Sequence, residues 1–275
     1  MENLADNFLY HYTTIEKLAL ILKNKTIRLM PLDKLDDVQE AKTKDFKNLG
    51  RYIFVSSWTE DETESIPMWN LYSDLSCGVR IGLKRNPFKW HTTKGRDLVR
   101  PDLKAADEAT LKNEMKTFLD LAPLILNDII SPQAINGDIL KKVEYTEDLE
   151  KLIPQIIEQE EKGVSLCFGK LGNVKNQYWE FQKEWRYVLQ FFRAPISDLQ
   201  NVQEKLVNEF NKIIAGKDER IFDYYDLEID EDAFAEMIIT PSPKITPGNK
   251  LLLESIIEKY NPEAKIIESQ LTNLL

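Results

Sequence analysis

Apolar residues recur along this chain at two spacings, every second position and every third or fourth. The changes from one to the other mark out candidate strands and helices. FLYHYT (8–13) reads as a strand. Behind Thr14, a suitable N-cap, Ile15, Leu18, Ala19 and Leu22 predict a helix to about Asn24. IRLMPL reads as a second short strand, stopped by Pro31 and by the polar run DKLDDVQE, whose Asp side chains favour a turn. RYIFVSSW is the clearest β segment, rich in aromatic and β-branched residues. It is followed by acidic TEDETES and by a helix, PMWNLYSDL, with Pro67 in its first turn. CGVRIGL, with Val79, Ile81 and Leu83 alternating, is the next strand.

From about 101 to 162 helix formers dominate, and LKNEMKTFLDLAPLIL and DLEKLIPQIIEQEE carry apolar residues three and four apart, which predicts a mostly helical section. Strand character returns at VSLCF, KEWRYVLQFF and AEMIITPS, while DLQNVQEKLVNEFNKII and LLLESIIEKY read as helices. The expectation is an α+β fold with a mixed or antiparallel β core, a helical insertion at about 101–162 and flanking helices, in a single domain over 1–275.

Composition narrows the function classes. A 43% hydrophobic share with 10% aromatics supports a sizeable core. A formal net charge of −10 opposes non-specific binding to phosphate backbones or anionic membranes. Cys77 and Cys167 lie far apart and outside any C-x-x-C pair, which points to a reducing compartment. The opening MENLADNFLYHYTT lacks the basic start and apolar run of a signal peptide, and no stretch approaches the roughly 18 apolar residues of a membrane span. The expectation is a soluble, cytoplasmic chain.

Several chemistries lack their motifs. There is no G-x-G-x-x-G, no P-loop, no H-E-x-x-H and no G-x-S-x-G, and His11 and His91 are the two histidines. What remains is a scattered polar and aromatic set. His11 stands in FLYHYTT on the strand face opposite Tyr10 and Tyr12, where it can fix a hydroxyl or amide or simply be a satisfied edge histidine. In MWNLY, Trp69 and Tyr72 are three apart on a helix, spaced to stack a flat heterocycle or to sit in the core. In KEWRYVLQFF and the residues before it, Gln182, Glu184 and Arg186 share one strand face. That face is either an exposed edge guarded by charge or the wall of a cleft, in which Arg186 keeps Glu184 ionised.

The stretches LYHYTTIEKLALILKNKTIRL, LDDVQE, FVSSWTED, MWNLYSD with CGVRIGL, VEY at 143–145 and WEFQKEWRYVL resemble the bacterial 2971 family of domains of unknown function. They occur in that family's order over most of the chain and match weakly in the helical middle and the last quarter. By analogy the family is similar to ADP-ribosyltransferase-like folds, which implies NAD as substrate. The resemblance implies that His11 holds a ribose, that Ser56 and Ser57 support the site, and that Tyr72 with Trp69 stacks nicotinamide. Tyr12, Thr13 and Arg186 complete the cofactor side. Glu184, with Gln182 two residues before it, would contact the ribose 2′-hydroxyl and stabilise the oxocarbenium-like transition state. Gln182 departs from the Glu expected there, which bears on the acceptor, and LDDVQE departs from an Asn-Asp-Pro pattern.

The leading expectation is an enzyme that cleaves NAD at the nicotinamide–ribose bond and transfers ADP-ribose to a protein or nucleic acid. Its expected setting is that of a bacterial toxin or anti-phage effector, with a neutralising partner protein and no membrane partner. Two other readings stand beside it. One is a non-catalytic module that senses a nucleotide or recruits a protein. The other is a metal-dependent nuclease built on Asp36, Asp37 and Glu40.

Overall fold

The computed structural model describes residues 8–94, 114–136, 138–161, 163–194 and 202–275. The segments with period-two patterning become strands: β1 (Phe8–Thr14), β2 (Thr26–Pro31), β3 (Ile53–Thr59) and β4 (Gly78–Lys84). The first helical pattern becomes α1 (Ile15–Asn24), whose N-cap Thr14 accepts a bond from Lys17 N and whose C-cap Lys25 is left-handed at φ 53. α2 (Ile66–Tyr72) is capped by Ser65 and carries Pro67 in its first turn.

Among the described residues the main sheet has nine strands. One path runs Tyr225–Glu228, β2, β3, β1, β4, Ile238–Pro241 and Lys265–Ile266, and the Glu184–Gln190 strand pairs with β3, followed outward by Leu140–Lys142. Pairing in this sheet is antiparallel except between Ile238–Pro241 and Lys265–Ile266. With its several helices the architecture is mixed α and β around a mostly antiparallel sheet.

The sheet splits along β3. On one edge β3 pairs with Glu184–Gln190 over its whole length, from Glu184↔Thr59 to Gln190↔Ile53. On the other edge β1 meets it at Tyr10↔Thr59 and β2 at Met30↔Val55 and Pro31↔Phe54. Between these points β1 and β2 diverge. The ring of His11 spans the opening, its Nδ1–H donating to the Ser57 carbonyl at 2.7 Å.

Strand parity sorts the side chains into two cores. Leu9, Phe54, Trp58, Tyr187 and Leu189 pack with Ile15, Leu18 and Leu22 of α1, while Ile53, Val55 and Val188 pack with Leu32, Leu49 and Phe192.

Over the described part of the expected helical insertion at about 101–162, a mostly helical section is not what forms. Residues 101–113 lie outside the described residues. Beyond them, Glu114–Thr117 pairs with His91–Lys94, Ile157–Glu160 pairs with Gly163–Leu166, and the helices Leu121–Leu126 and Leu149–Leu152 are short. Asp120 and Asp148 cap these helices; the first stops before Asp128, which is left-handed at φ 56, and the second before Pro154, which disfavours a helical residue ahead of it. The KEWRYVLQFF strand starts at Glu184. The residues before it form a tight helical turn, Gln177–Gln182, closed by Lys183 in the left-handed region at φ 44. No helix among the described residues is long and apolar enough to cross a membrane.

Candidate functional site

The split sheet, α2 and the Gln177–Gln182 turn enclose a cleft with about 100 Å³ of internal space. His11, Tyr12, Ser57, Tyr72, Gln182, Glu184 and Arg186 all line it, although they come from β1, β3, α2, the turn and the Glu184–Gln190 strand. The strand that carries Glu184 is not an edge. It lies between β3 and Leu140–Lys142, and its polar face is buried, so the charges do not serve as an edge guard.

The floor of the cleft is a buried cluster of four charges. Arg186 Nε donates to Glu184 Oε1 at 2.6 Å and Nη2 to Oε2 at 3.2 Å, while Nη1 pairs with Glu40 and reaches the Gly172 carbonyl at 3.2 Å. Lys175 Nζ donates to Glu184 Oε2 at 3.2 Å and lies 3.4 Å from Glu40 Oε1. That second contact is an ion pair without hydrogen-bond alignment, since Glu40 Oε1 has no hydrogen-bond partner among the described residues. Burial alone would raise the Glu184 carboxyl, but Arg186 and Lys175, helped by the Ser57 hydroxyl, hold it down to about 2. It is therefore ionised at neutral pH. The backbone N–H of Glu184 donates to the Tyr145 hydroxyl at 2.8 Å.

Gly172 sits at φ +95, a conformation that favours glycine, and an added Cβ would stand 3.0 Å from Val188 Cγ1. A side chain there would disturb the loop that offers its carbonyl to Arg186.

Above this floor, Lys175 Nζ also donates to Gln182 Oε1 at 2.7 Å, and Gln182 Nε2 donates to the Tyr72 hydroxyl. Burial, with Glu184 nearby, pushes the Tyr72 hydroxyl up to about 12, so it keeps its proton. Trp179 lies over the Lys175 ammonium at 4.8 Å. His11 has its pKa lowered, chiefly by burial. It is neutral at pH 7, and because Nδ1 carries the proton, Nε2 is an acceptor.

Three sequence candidates fall elsewhere. Trp69 is 0% exposed: its Nε1 donates to Glu64 at 2.9 Å and its ring meets Tyr12 edge-on at 4.9 Å. Positions three apart on a helix are offset by about 60° around its axis, enough for Tyr72 to face the cleft while Trp69 faces the core. Thr13 and Ser56 point to the opposite face of the sheet and line a different cavity, of about 400 Å³, beneath α1; His11, in the opening between β1 and β2, lines both. There Ser56 Oγ accepts from Trp58 Nε1 at 3.0 Å, and the Thr13 hydroxyl is buried without a partner among the described residues.

The sequence reading also missed residues. Lys175 and Trp179 gave no periodic signal, because they belong to a three-residue strand, Val174–Asn176, and to the turn after it. Glu40, weighed as a metal ligand, is instead a partner of Arg186 and Lys175. Among the described residues no group of three His, Cys, Asp or Glu side chains could hold a metal ion. No family model, curated protein or solved structure matches the chain.

Proposed function

We propose that the cleft receives the nicotinamide–ribose end of NAD and that the protein is an ADP-ribosyltransferase-like enzyme, cleaving the glycosidic bond and passing ADP-ribose to a protein or nucleic-acid acceptor or to water. One observation carries this reading: His11, Tyr72, Gln182 and Glu184, distant in sequence, converge on one small cleft in which Glu184 is ionised.

In the reaction the bond between ribose C1′ and the pyridinium nitrogen breaks with both electrons going to nitrogen. Nicotinamide leaves neutral, and positive charge develops on the ribose. The Glu184 carboxylate accepts a hydrogen bond from the 2′-hydroxyl and lies close to the developing charge. Tyr72 contacts the leaving ring. His11 Nε2 accepts from a ribose hydroxyl, and its neutrality avoids adding positive charge beside the cation. An acceptor nucleophile then attacks C1′ and gives up its proton.

Incubation with NAD and chromatographic detection of nicotinamide tests this. Wild type should release nicotinamide, and Glu184→Gln should release it at least about a hundredfold more slowly. No release from wild type with protein and nucleic-acid acceptors present, or undiminished release from folded Glu184→Gln, refutes the proposal.

One observation favours a second reading, the non-catalytic sensor. Arg186 and Lys175 already engage both oxygens of Glu184, which dilutes its charge toward a ligand. A sensor would show a thermal shift with NAD and no nicotinamide.

A further inference from the structure

The hydrogen bonds around Gln182 have a fixed direction. Lysine can only donate, so the Gln182 atom that meets Lys175 must be the carbonyl oxygen. The amide nitrogen is thereby turned toward Tyr72 and donates to its hydroxyl oxygen. Among the described residues that oxygen receives one hydrogen bond, which leaves the hydroxyl's own proton available to the cleft that Tyr72 lines. A rotating hydroxyl is ordinarily ambiguous; this one is not. Three residues in series give the cleft one oriented donor.

Other lining residues also carry donors, among them the hydroxyls of Tyr10, Tyr12 and Ser57, but the charge of the cleft is weighted toward carboxylates. Four carboxylates line it, Asp36, Asp37, Glu40 and Glu184, against two cations, Lys175 and Arg186. Both cations already pair with Glu40 and Glu184. An entering anion would find no unengaged cation among these lining residues and would meet the field of Asp36 and Asp37. Burying a charge without a partner is costly, whereas an uncharged carbonyl takes the Tyr72 proton at little cost.

We infer that the cleft selects a carboxamide over a carboxylate on the ring it binds, with Gln182 and Lys175 as positioning residues that make Tyr72 an obligate donor to the carboxamide oxygen. This rests on the NAD reading above and adds to it the discrimination between NAD and its nicotinic acid analogue, in which the carboxamide is a carboxylate. Since a carboxylate can also accept from Tyr72, the acidic wall supplies the rejection and the hydroxyl supplies the affinity for the amide. Gln182 acts through Tyr72. In Gln182→Glu the new carboxylate accepts from both Lys175 and Tyr72, so the tyrosine proton turns inward and the ligand loses its donor.

Isothermal titration of NAD and of nicotinic acid adenine dinucleotide, on wild type, Tyr72→Phe, Gln182→Glu and the double variant, tests this. Wild type should bind NAD at least about tenfold more tightly than the acid analogue. Each single variant should weaken NAD binding about tenfold, and the double variant should be no weaker than either single one, because both changes remove the same proton. Tyr72→Phe removes one oxygen and keeps the ring, so it carries the test if Gln182→Glu does not fold. Equal affinity of wild type for the two dinucleotides, or unchanged NAD affinity in Tyr72→Phe, or additive losses in the double variant, overturns this inference and leaves the NAD reading standing. If neither dinucleotide binds, both are overturned.

Discussion

Replacing Glu184 by Gln keeps the shape of the side chain and removes its charge, and the consequence for stability depends on pH in a calculable way. The carboxyl titrates at about 2 in the folded protein against an ordinary 4.5. At about 1.4 kcal/mol per unit, this depression corresponds to about 3 kcal/mol of stability. A depressed carboxylate contributes fully above its unfolded value and loses that contribution as pH falls through the folded one. The wild type should therefore exceed Glu184→Gln by about 3 kcal/mol at pH 7 and down to about 4.5. Below that, the gap should close by about 1.4 kcal/mol per pH unit and vanish near pH 2. The estimate agrees with the cost of about 3–5 kcal/mol seen when one member of a buried ion pair is removed. Urea unfolding of both proteins from pH 2.5 to 7 measures the difference directly, and the predicted gap at pH 7 corresponds to a melting-point loss of about 6–12 °C. A difference that is constant across this range, or that widens toward acid, refutes the claim that Glu184 is held ionised by Arg186 and Lys175.

Three further outcomes follow from the packing. Trp69→Phe removes a donor from the buried Glu64 carboxylate and should cost about 1–3 kcal/mol in chemical unfolding. It should leave NAD affinity within about twofold of wild type; a larger loss would return Trp69 to the cleft. Thr13→Val replaces a buried, unpartnered hydroxyl with a methyl group of similar size and should be neutral or stabilising by up to about 1 kcal/mol, read from thermal melts. Glu64 accepts from Ser269 Oγ at 2.6 Å and from Gln270 N at 2.7 Å as well as from Trp69, tying residues 269–270 to α2. Glu64→Ala should speed hydrogen exchange in both 66–72 and 267–271; acceleration in one segment alone would show that they are not coupled.

The elements legible in the sequence are those with a strong local signal, even where, as in β3 and β4, both faces are buried. β1, β3 and β4 stood out through runs of aromatic and β-branched residues, and α1 and α2 through a capped helical start. The section after residue 113 misled because apolar residues three and four apart occur there by chance between prolines, in pieces too short for a helix to be stable without tertiary support. Within the cleft, Glu184 and Arg186 were readable from parity, since they lie on one regular strand. Gln182 reached the same cleft for another reason, the left-handed turn at Lys183, which parity does not describe. Lys175 and Trp179 stayed hidden because their positions depend on contacts across a pocket. Trp69 was misread because helical spacing says which residues are neighbours and not which of them faces inward.

The cleft combines two kinds of group that respond differently to mutation, and this decides how activity data are to be interpreted. Glu40, Lys175, Glu184 and Arg186 form a closed set of buried charges, so changing any of them alters folding stability along with whatever chemistry it performs. A loss of nicotinamide release in such a variant is informative only at a pH and temperature where the protein is folded. Tyr72 stands outside that set. Its hydroxyl accepts one bond from Gln182 and otherwise faces the cleft, so Tyr72→Phe should change melting by no more than a few degrees while removing the oriented donor. Comparing Tyr72→Phe with Glu184→Gln therefore separates what the cleft does to a ligand from what it costs the fold. If both variants lose stability equally, Tyr72 belongs to the buried network after all, and the donor assigned to the ligand is spent inside the protein.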